Sequence, residues 1–217
     1  MEFCSAIQPL RAAVFAALGL LVSGCAGGMQ SAPLVTHAVD RSVFYEAPDC
    51  VAIHSSGEAH PTLIQAVEPA LERHLALLFG TVMDGNQVWE FTGAHGINLD
   101  DPQYWQRFGE AADCNTIVRW AAPEATNEFA GIWARQRLVL QIELVRASDG
   151  RSLWMAEGVT ERNDGALPIT PVAAIVGAVR ASTLQANSQI LPSMVDDVLR
   201  QAFRTLPPMG PPPLITP

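Results

Sequence analysis

Four cysteines, five histidines and five tryptophans are the residues with which this chain could form a bond, hold a metal or grip a ligand. His54-Ser55-Ser56-Gly57 sets an imidazole beside two hydroxyls at the end of a short apolar run, a common place for a nucleophile. The Gly-x-Ser-x-Gly turn that exposes a catalytic serine is missing, so a plain turn is the simpler reading. His54, His60 and His74 share no helical face with another ligand type, and no H-x-x-x-H or C-x-x-C pair occurs. Neither a metal nor a cofactor is expected. Gly93-Ala94-His95-Gly96 lacks the Lys-Ser or Lys-Thr that a phosphate loop needs. These residues argue for a protein that is not an enzyme. Of the tryptophans, Trp89, Trp120 and Trp154 fall in expected strands, where packing is their first use. Trp133, beside Gly131 in an expected loop, is the one freest to touch a partner or ligand.

The thiols are more informative. Arg11 and the apolar residues 12–22 form a segment too short to span a bilayer, which has the shape of a secretory signal. Ser23 and Gly24 follow, and then Cys25. The run Val22-Ser23-Gly24-Cys25 resembles the lipobox of bacterial lipoproteins. That resemblance implies a lipid on the Cys25 thiol, removal of residues 1–24, and a domain tethered to membrane lipid through Cys25. An ordinary cleaved signal followed by an incidental cysteine is the alternative. Acyl chains contribute about 0.8 kcal/mol per buried methylene, and more than one chain makes attachment lasting. Ala26 and Gly27 stand where an inner-membrane retention aspartate would be, so the resemblance implies the periplasmic face of the outer membrane.

In an oxidising compartment Cys50 and Cys114 remain to be explained. Each precedes a short apolar run, Val51-Ala52-Ile53 and Thr116-Ile117-Val118. If those runs are neighbouring parallel strands, their starting ends lie side by side and a Cys50–Cys114 disulfide is expected. Two buried free thiols are the alternative. The formal charge is −9, with 13 Lys+Arg and no basic cluster, which leaves nothing to track a phosphate backbone. Nucleic acid is excluded as an expected partner. The signal contains one acid, Glu2, and one base, Arg11, so its removal leaves that charge unchanged.

The elements that must position these residues follow from periodicity. Residues 26–41 lack it and read as a linker with a mean reach of about 22 Å. Residues 42–46 and 50–54 are strand candidates. A helix opens at His60-Pro61 and carries Leu63, Ile64, Val67, Leu71, Leu75 and Leu78 on one face, with Pro69 either kinking or splitting it. Val88-Trp89-Glu90-Phe91 reads as a strand, residues 103–112 as a helix with Trp105, Phe108 and Ala112 inward, residues 116–120 as a strand and 123–127 as a loop. Leu138, Leu140, Ile142 and Leu144 alternate with Val139, Gln141, Glu143 and Val145. Ser148-Asp149-Gly150 turns the chain into a return strand with Leu153, Met155 and Val159 on one face, giving a long antiparallel hairpin. An Ala/Val-rich helix at 172–182 and an amphipathic helix at 193–205, with Ser193 as its cap, complete the domain. The expected fold class is α/β with a mixed sheet, a small two-layer domain over residues 42–206. Residues 25–41 form the lipidated linker and 207–217 a proline-rich tail that ends in an apolar Leu214-Ile215.

The turn Asp149-Gly150-Arg151-Ser152-Leu153-Trp154, set in this order of elements behind a lipidated cysteine, resembles the α/β domain of envelope assembly lipoproteins. These include the curli-secretion lipoprotein, the outer-membrane activators of penicillin-binding proteins and the amino-terminal domain of the Tol-system propeller protein. Over residues 42–206 the resemblance implies a non-catalytic interaction or assembly module with an envelope protein partner. Trp133, Leu214 and Ile215 are then the expected partner contacts. A lipoprotein that binds a small or lipidic molecule is the alternative. The two differ in surface, because a module needs an exposed apolar patch or sheet edge and a ligand binder needs a concave pocket.

Overall fold

The computed structural model describes residues 34–40, 48–131, 133–165 and 171–207. Cys25, Leu214, Ile215 and the expected strand at 42–46 lie outside the described residues. The order is β1 (Leu34–Val39), β2 (Cys50–Ser55), α1 (Pro61–Leu75), β3 (Thr81–Met83) and α2 (Gly85–His95). There follow a 3₁₀ turn (Pro102–Tyr104) leading into α3 (Trp105–Ala112), then β4 (Thr116–Phe129), β5 (Trp133–Arg146), β6 (Ser152–Gly165), α4 (Pro171–Ala186) and α5 (Ile190–Phe203). Six strands form one mixed sheet in the order β1-β6-β5-β4-β2-β3. The expected α/β class is what the chain adopts.

Period two decides the centre of the sheet. Leu138, Leu140, Ile142 and Leu144 of β5 are all buried on one face, joined by Val118 and Trp120 of β4 and Trp154 and Ala156 of β6. Helices α1 and α5 cover that face with Val67, Leu71 and Leu75 from one and Val195, Val198 and Leu199 from the other. Gly158 lets α5 come close, since a Cβ there would stand 2.3 Å from Val198 Cγ1. The opposite face of the hairpin is polar and ion-paired across strands, Arg119 with Glu143 at 3.2 Å and Arg135 with Glu161 at 2.6 Å. Over the hairpin there are thus two layers. At the parallel end a further helical layer is added, where α2 and α3 place Val88, Trp105 and Phe108 on Ala52, Ile117 and Val145.

Several expectations are corrected. The linker ends sooner, because Leu34–Val39 pairs antiparallel with β6 as the edge strand. Val88-Trp89-Glu90-Phe91 is helical: Asp84 and Gln87 form a capping box, and Gly96 at φ 61° stops the helix. Residues 123–127 are strand, and the register shift between Ala121 and Glu124 sets Pro123, which has no N–H to offer, at a bulge. A second shift between Leu144 and Val145 buries both Leu153 and Trp154, after which Ala156 and Gly158 face inward and Met155 is exposed. Pro69 does not split α1. Helix α5 starts at Ile190, so Ser193 lies inside it and donates its hydroxyl to the Ile190 carbonyl instead of capping. Among the described residues no helix is long and apolar enough to cross a membrane.

Cys50 and Cys114 are joined, with Cα atoms 5.1 Å apart. The geometry that allows this is the parallel pairing of β2 with β4, Ala52 opposite Ile117. Closing a loop of this length is worth about 4 kcal/mol in the chain-entropy argument. Replacing both cysteines by serine should therefore lower the urea midpoint of the purified protein and raise the slope, because the freed unfolded chain exposes more surface. An unchanged midpoint would mean that the cross-link contributes nothing to the native state.

Candidate functional site

Strand β2 sends Ile53 into the core and ends at His54 and Ser55, at the carboxyl ends of the parallel strands, the usual side for ligands on such sheets. Gly57, at φ 77°, turns the chain there, and its N–H donates to Asp100 Oδ1 at 3.2 Å. The same oxygen lies 3.2 Å from His54 Nε2. Asp100 is itself fixed by its neighbours: its N–H donates to Asn98 Oδ1 at 3.1 Å, and the Trp105 indole N–H donates to the Leu99 carbonyl at 2.9 Å. Next to His54 in register stands Arg119, whose guanidinium lies 5.0 Å from the Trp105 ring centroid. Asp100, His54, Arg119 and Glu143 thus form one row, with the imidazole set between a carboxylate and a guanidinium that is itself paired with Glu143.

The electrostatics of that row assign its protons. Burial pushes His54 below its ordinary pKa, Asp100 works against that, and the Arg119 charge adds to it. Burial would raise Asp100, but the Gly57 N–H, His54 and Arg119 together hold it below the usual carboxylate range. At neutral pH the pair is a neutral imidazole donating from Nε2 to a carboxylate, which leaves the Nδ1 lone pair available. Across the cleft, Glu68 of α1 is displaced the other way, raised by burial and by the charge of Asp84. Gly85 makes room for it, because a Cβ there would stand 2.1 Å from Glu68 Oε2.

These groups line an open cleft of about 490 Å³ between α1, the start of α2 and the loop before the 3₁₀ turn. Asn86, Asn98 and Ser55 add polar contacts, and Trp89 lies along it with 77% of its surface exposed. The arrangement can accept and donate hydrogen bonds beneath an aromatic face. Glu68 and His54 both line the cleft, but no hydrogen bond joins them, or joins Ser55 to His54, among the described residues. No group of three or more His, Cys, Asp or Glu that could hold a metal occurs among them either.

The sequence-level candidates sit elsewhere. Cys50 and Cys114 pin the amino-terminal ends of β2 and β4, the ends away from the cleft. Trp133 is the first residue of β5, opposite Gly165 and 38% exposed, and lines no part of the cleft. Trp89, assigned to a packed strand, is the more exposed indole. His54 with Asp100 escaped notice because 46 residues separate them and only the fold joins them. A second hollow, about 880 Å³, opens between the start of α1, β4, β5 and the start of α5. Leu63, Ala66, Leu138, Leu191 and Met194 form its apolar lining, with His60, Asn127 and Gln136 also on its walls.

No protein-family model matches the chain. No curated protein matches it either. Solved structures similar to it include the PelC dodecamer from Paraburkholderia phytofirmans, at 12% identity over 76% of this chain and 96% of that one, TM-score 0.38. The lipoprotein GNA1162 from Neisseria meningitidis is similar at 12% identity over 64% of this chain and all of that one, TM-score 0.43. The hypothetical protein CT253 from Chlamydia trachomatis is similar at 9% identity over 73% and 95%, TM-score 0.38. These likenesses concern the layout of the chain alone.

The His54–Asp100 pair makes a testable statement about pH. A histidine lowered by folding stabilises the fold above its unfolded pKa of about 6.5, and that contribution is lost as pH falls through this value toward the folded one. Asp100→Asn removes an influence that raises His54, so the His54 midpoint followed by NMR should fall further. A rise would show that the carboxylate does not face this ring.

Proposed function

We propose that this chain is a non-catalytic lipoprotein of the cell envelope, held by acylated Cys25 at the periplasmic face of the outer membrane, that serves as an interaction module for an envelope protein complex. The lipobox-like run ending at Cys25 supports the anchor. The observation that carries the interaction role is the 880 Å³ hollow. Partly exposed Leu63, Ala66 and Leu191 give it an apolar lining over buried Leu138 and Met194, it lies open on one side of the sheet, and polar side chains stand among that lining. A short segment of a partner protein is the occupant such a groove fits, with side chains in the apolar floor and its backbone toward the polar groups.

A second reading rests on a different observation. The cleft at the end of β2 combines the exposed face of Trp89 with the His54–Asp100 pair and Asn86, which suits a small polar ligand. Under this reading the lipoprotein presents a ligand and the groove is incidental.

The two separate in one experiment. A photo-cross-linking residue placed at Gln65, beside the groove, should capture one defined envelope protein in intact cells, and filling the groove with Ala66→Trp should reduce that capture at least tenfold. The same residue at Gln106 on α3 serves as the control. Equal capture from both positions, or capture unaffected by Ala66→Trp, would remove the groove from the account and leave the cleft.

A further inference from the structure

The three central strands are much longer than their neighbours. β4, β5 and β6 run 14 residues each, whereas β1 and β2 have 6 and β3 has 3. The pairing of β2 with β4 ends at Ser55 opposite Trp120, and β4 continues alone in that direction to Phe129. On the other side, β1 begins at Leu34 opposite Val159, and β6 continues to Gly165 opposite Trp133. At about 3.4 Å per residue the tip of the hairpin therefore stands roughly 20 Å beyond the start of β1.

β1 is antiparallel to β6, so the chain enters β1 from the side of that tip. On the anchored reading, nine residue steps lead from Cys25 to Leu34. Fully drawn out, they span about 30 Å, and as a flexible chain about 17 Å on average. Both lengths are of the order of the distance by which the tip projects, so a tether of nine steps allows the tip to reach the surface that holds the acyl chains. The surface chemistry agrees with that placement. Phe129 and Trp133 are the exposed large apolar side chains among the described residues of the tip, beside exposed Asn127 and Glu128, and α4, which starts six residues after Gly165, exposes Ile175, Val176 and Val179. The outer face of the hairpin is unsuited to lipid, since it carries the ion pairs of Arg135 and Arg137 with Glu161 and of Arg137 with Glu124.

We infer that the tip of the β4–β5 hairpin, with Trp133 and Phe129, is a second membrane contact that seats in the headgroup region of the bilayer beside the acylated cysteine. The inference rests on the proposal that Cys25 is lipidated. Tryptophan suits this place because its ring is apolar and its N–H seeks a polar partner at headgroup depth. The domain then stands on its hairpin, with the opening at the end of β2 facing the membrane. Nine residues of β4 hold that opening about 30 Å above the surface.

The test uses the full-length protein purified from membranes and returned to phosphatidylethanolamine–phosphatidylglycerol vesicles that contain brominated phospholipid. Three of the five tryptophans, Trp105, Trp120 and Trp154, are buried, so Trp133 and Trp89 are the ones open to quenching. Trp133→Phe should abolish the quenching by brominated lipid, and Trp89→Phe should leave it unchanged. Quenching lost with Trp89→Phe and kept with Trp133→Phe would overturn the inference while the anchor stands, as would an absence of quenching in vesicle-bound wild type. An intact mass without acyl chains would overturn the anchored reading and this inference together.

Discussion

The constraint on which the rest of the molecule depends is the pairing of β4, β5 and β6 over 14 residues each. Because side chains alternate with period two, a slip of one residue would turn Leu138, Leu140, Ile142 and Leu144 out of the core and Gln141 and Glu143 into it. At about 1.5–3 kcal/mol for each fully buried aliphatic side chain, that row alone makes the register decisive. Once it is set, Trp154 stacks against Phe203 at 5.6 Å, and Arg162 reaches Asp197 of α5 at 2.9 Å. The missing side chain at Gly158 lets Val198 close the gap between sheet and helix. The unequal lengths of the strands then give the molecule two different ends.

One end is closed and cross-linked. The disulfide holds the starts of β2 and β4, and Phe108, buried beneath α3, packs under the same strands. The other end is open and carries both hollows and the projecting hairpin. Titratable groups displaced by burial are concentrated there: His54 is kept neutral and Glu68 is kept protonated to higher pH. Such groups are tolerated where neighbouring dipoles and charges compensate them, as the Gly57 N–H and Arg119 do for Asp100. The fold therefore gathers these compensated polar groups around the open cleft at the end of β2.

How much of this could be read from the sequence depends on the range of the interaction. The hairpin was legible because strict alternation over Leu138 to Leu144 and the turn Ser148-Asp149-Gly150 are local signals. The disulfide was legible because two similar Cys-plus-apolar runs imply parallel neighbours. Val88-Trp89-Glu90-Phe91 misled because its residues favour strands, while the decisive information was the capping box of Asp84 and Gln87. β1 could not be seen, since Leu34-Val35-Thr36-His37-Ala38-Val39 is an exposed edge whose order comes from β6, more than a hundred residues away. The His54–Asp100 pair and the space that Gly85 leaves for Glu68 are products of tertiary contact alone. Trp133, expected in a loop and as the freest of the tryptophans, begins a strand and is exposed less than Trp89, because the helix that carries Trp89 leaves it outside the core.

The proposed anchor and the membrane contact inferred for the hairpin tip both rest on acylation of Cys25. Mass spectrometry of the amino-terminal peptide, taken from protein extracted with detergent out of native membranes, tests this directly. The account predicts a mature chain that begins at Cys25 and carries a diacylglyceryl group on its sulfur. A mature chain that begins elsewhere, or one that retains a free Cys25 thiol, would contradict it.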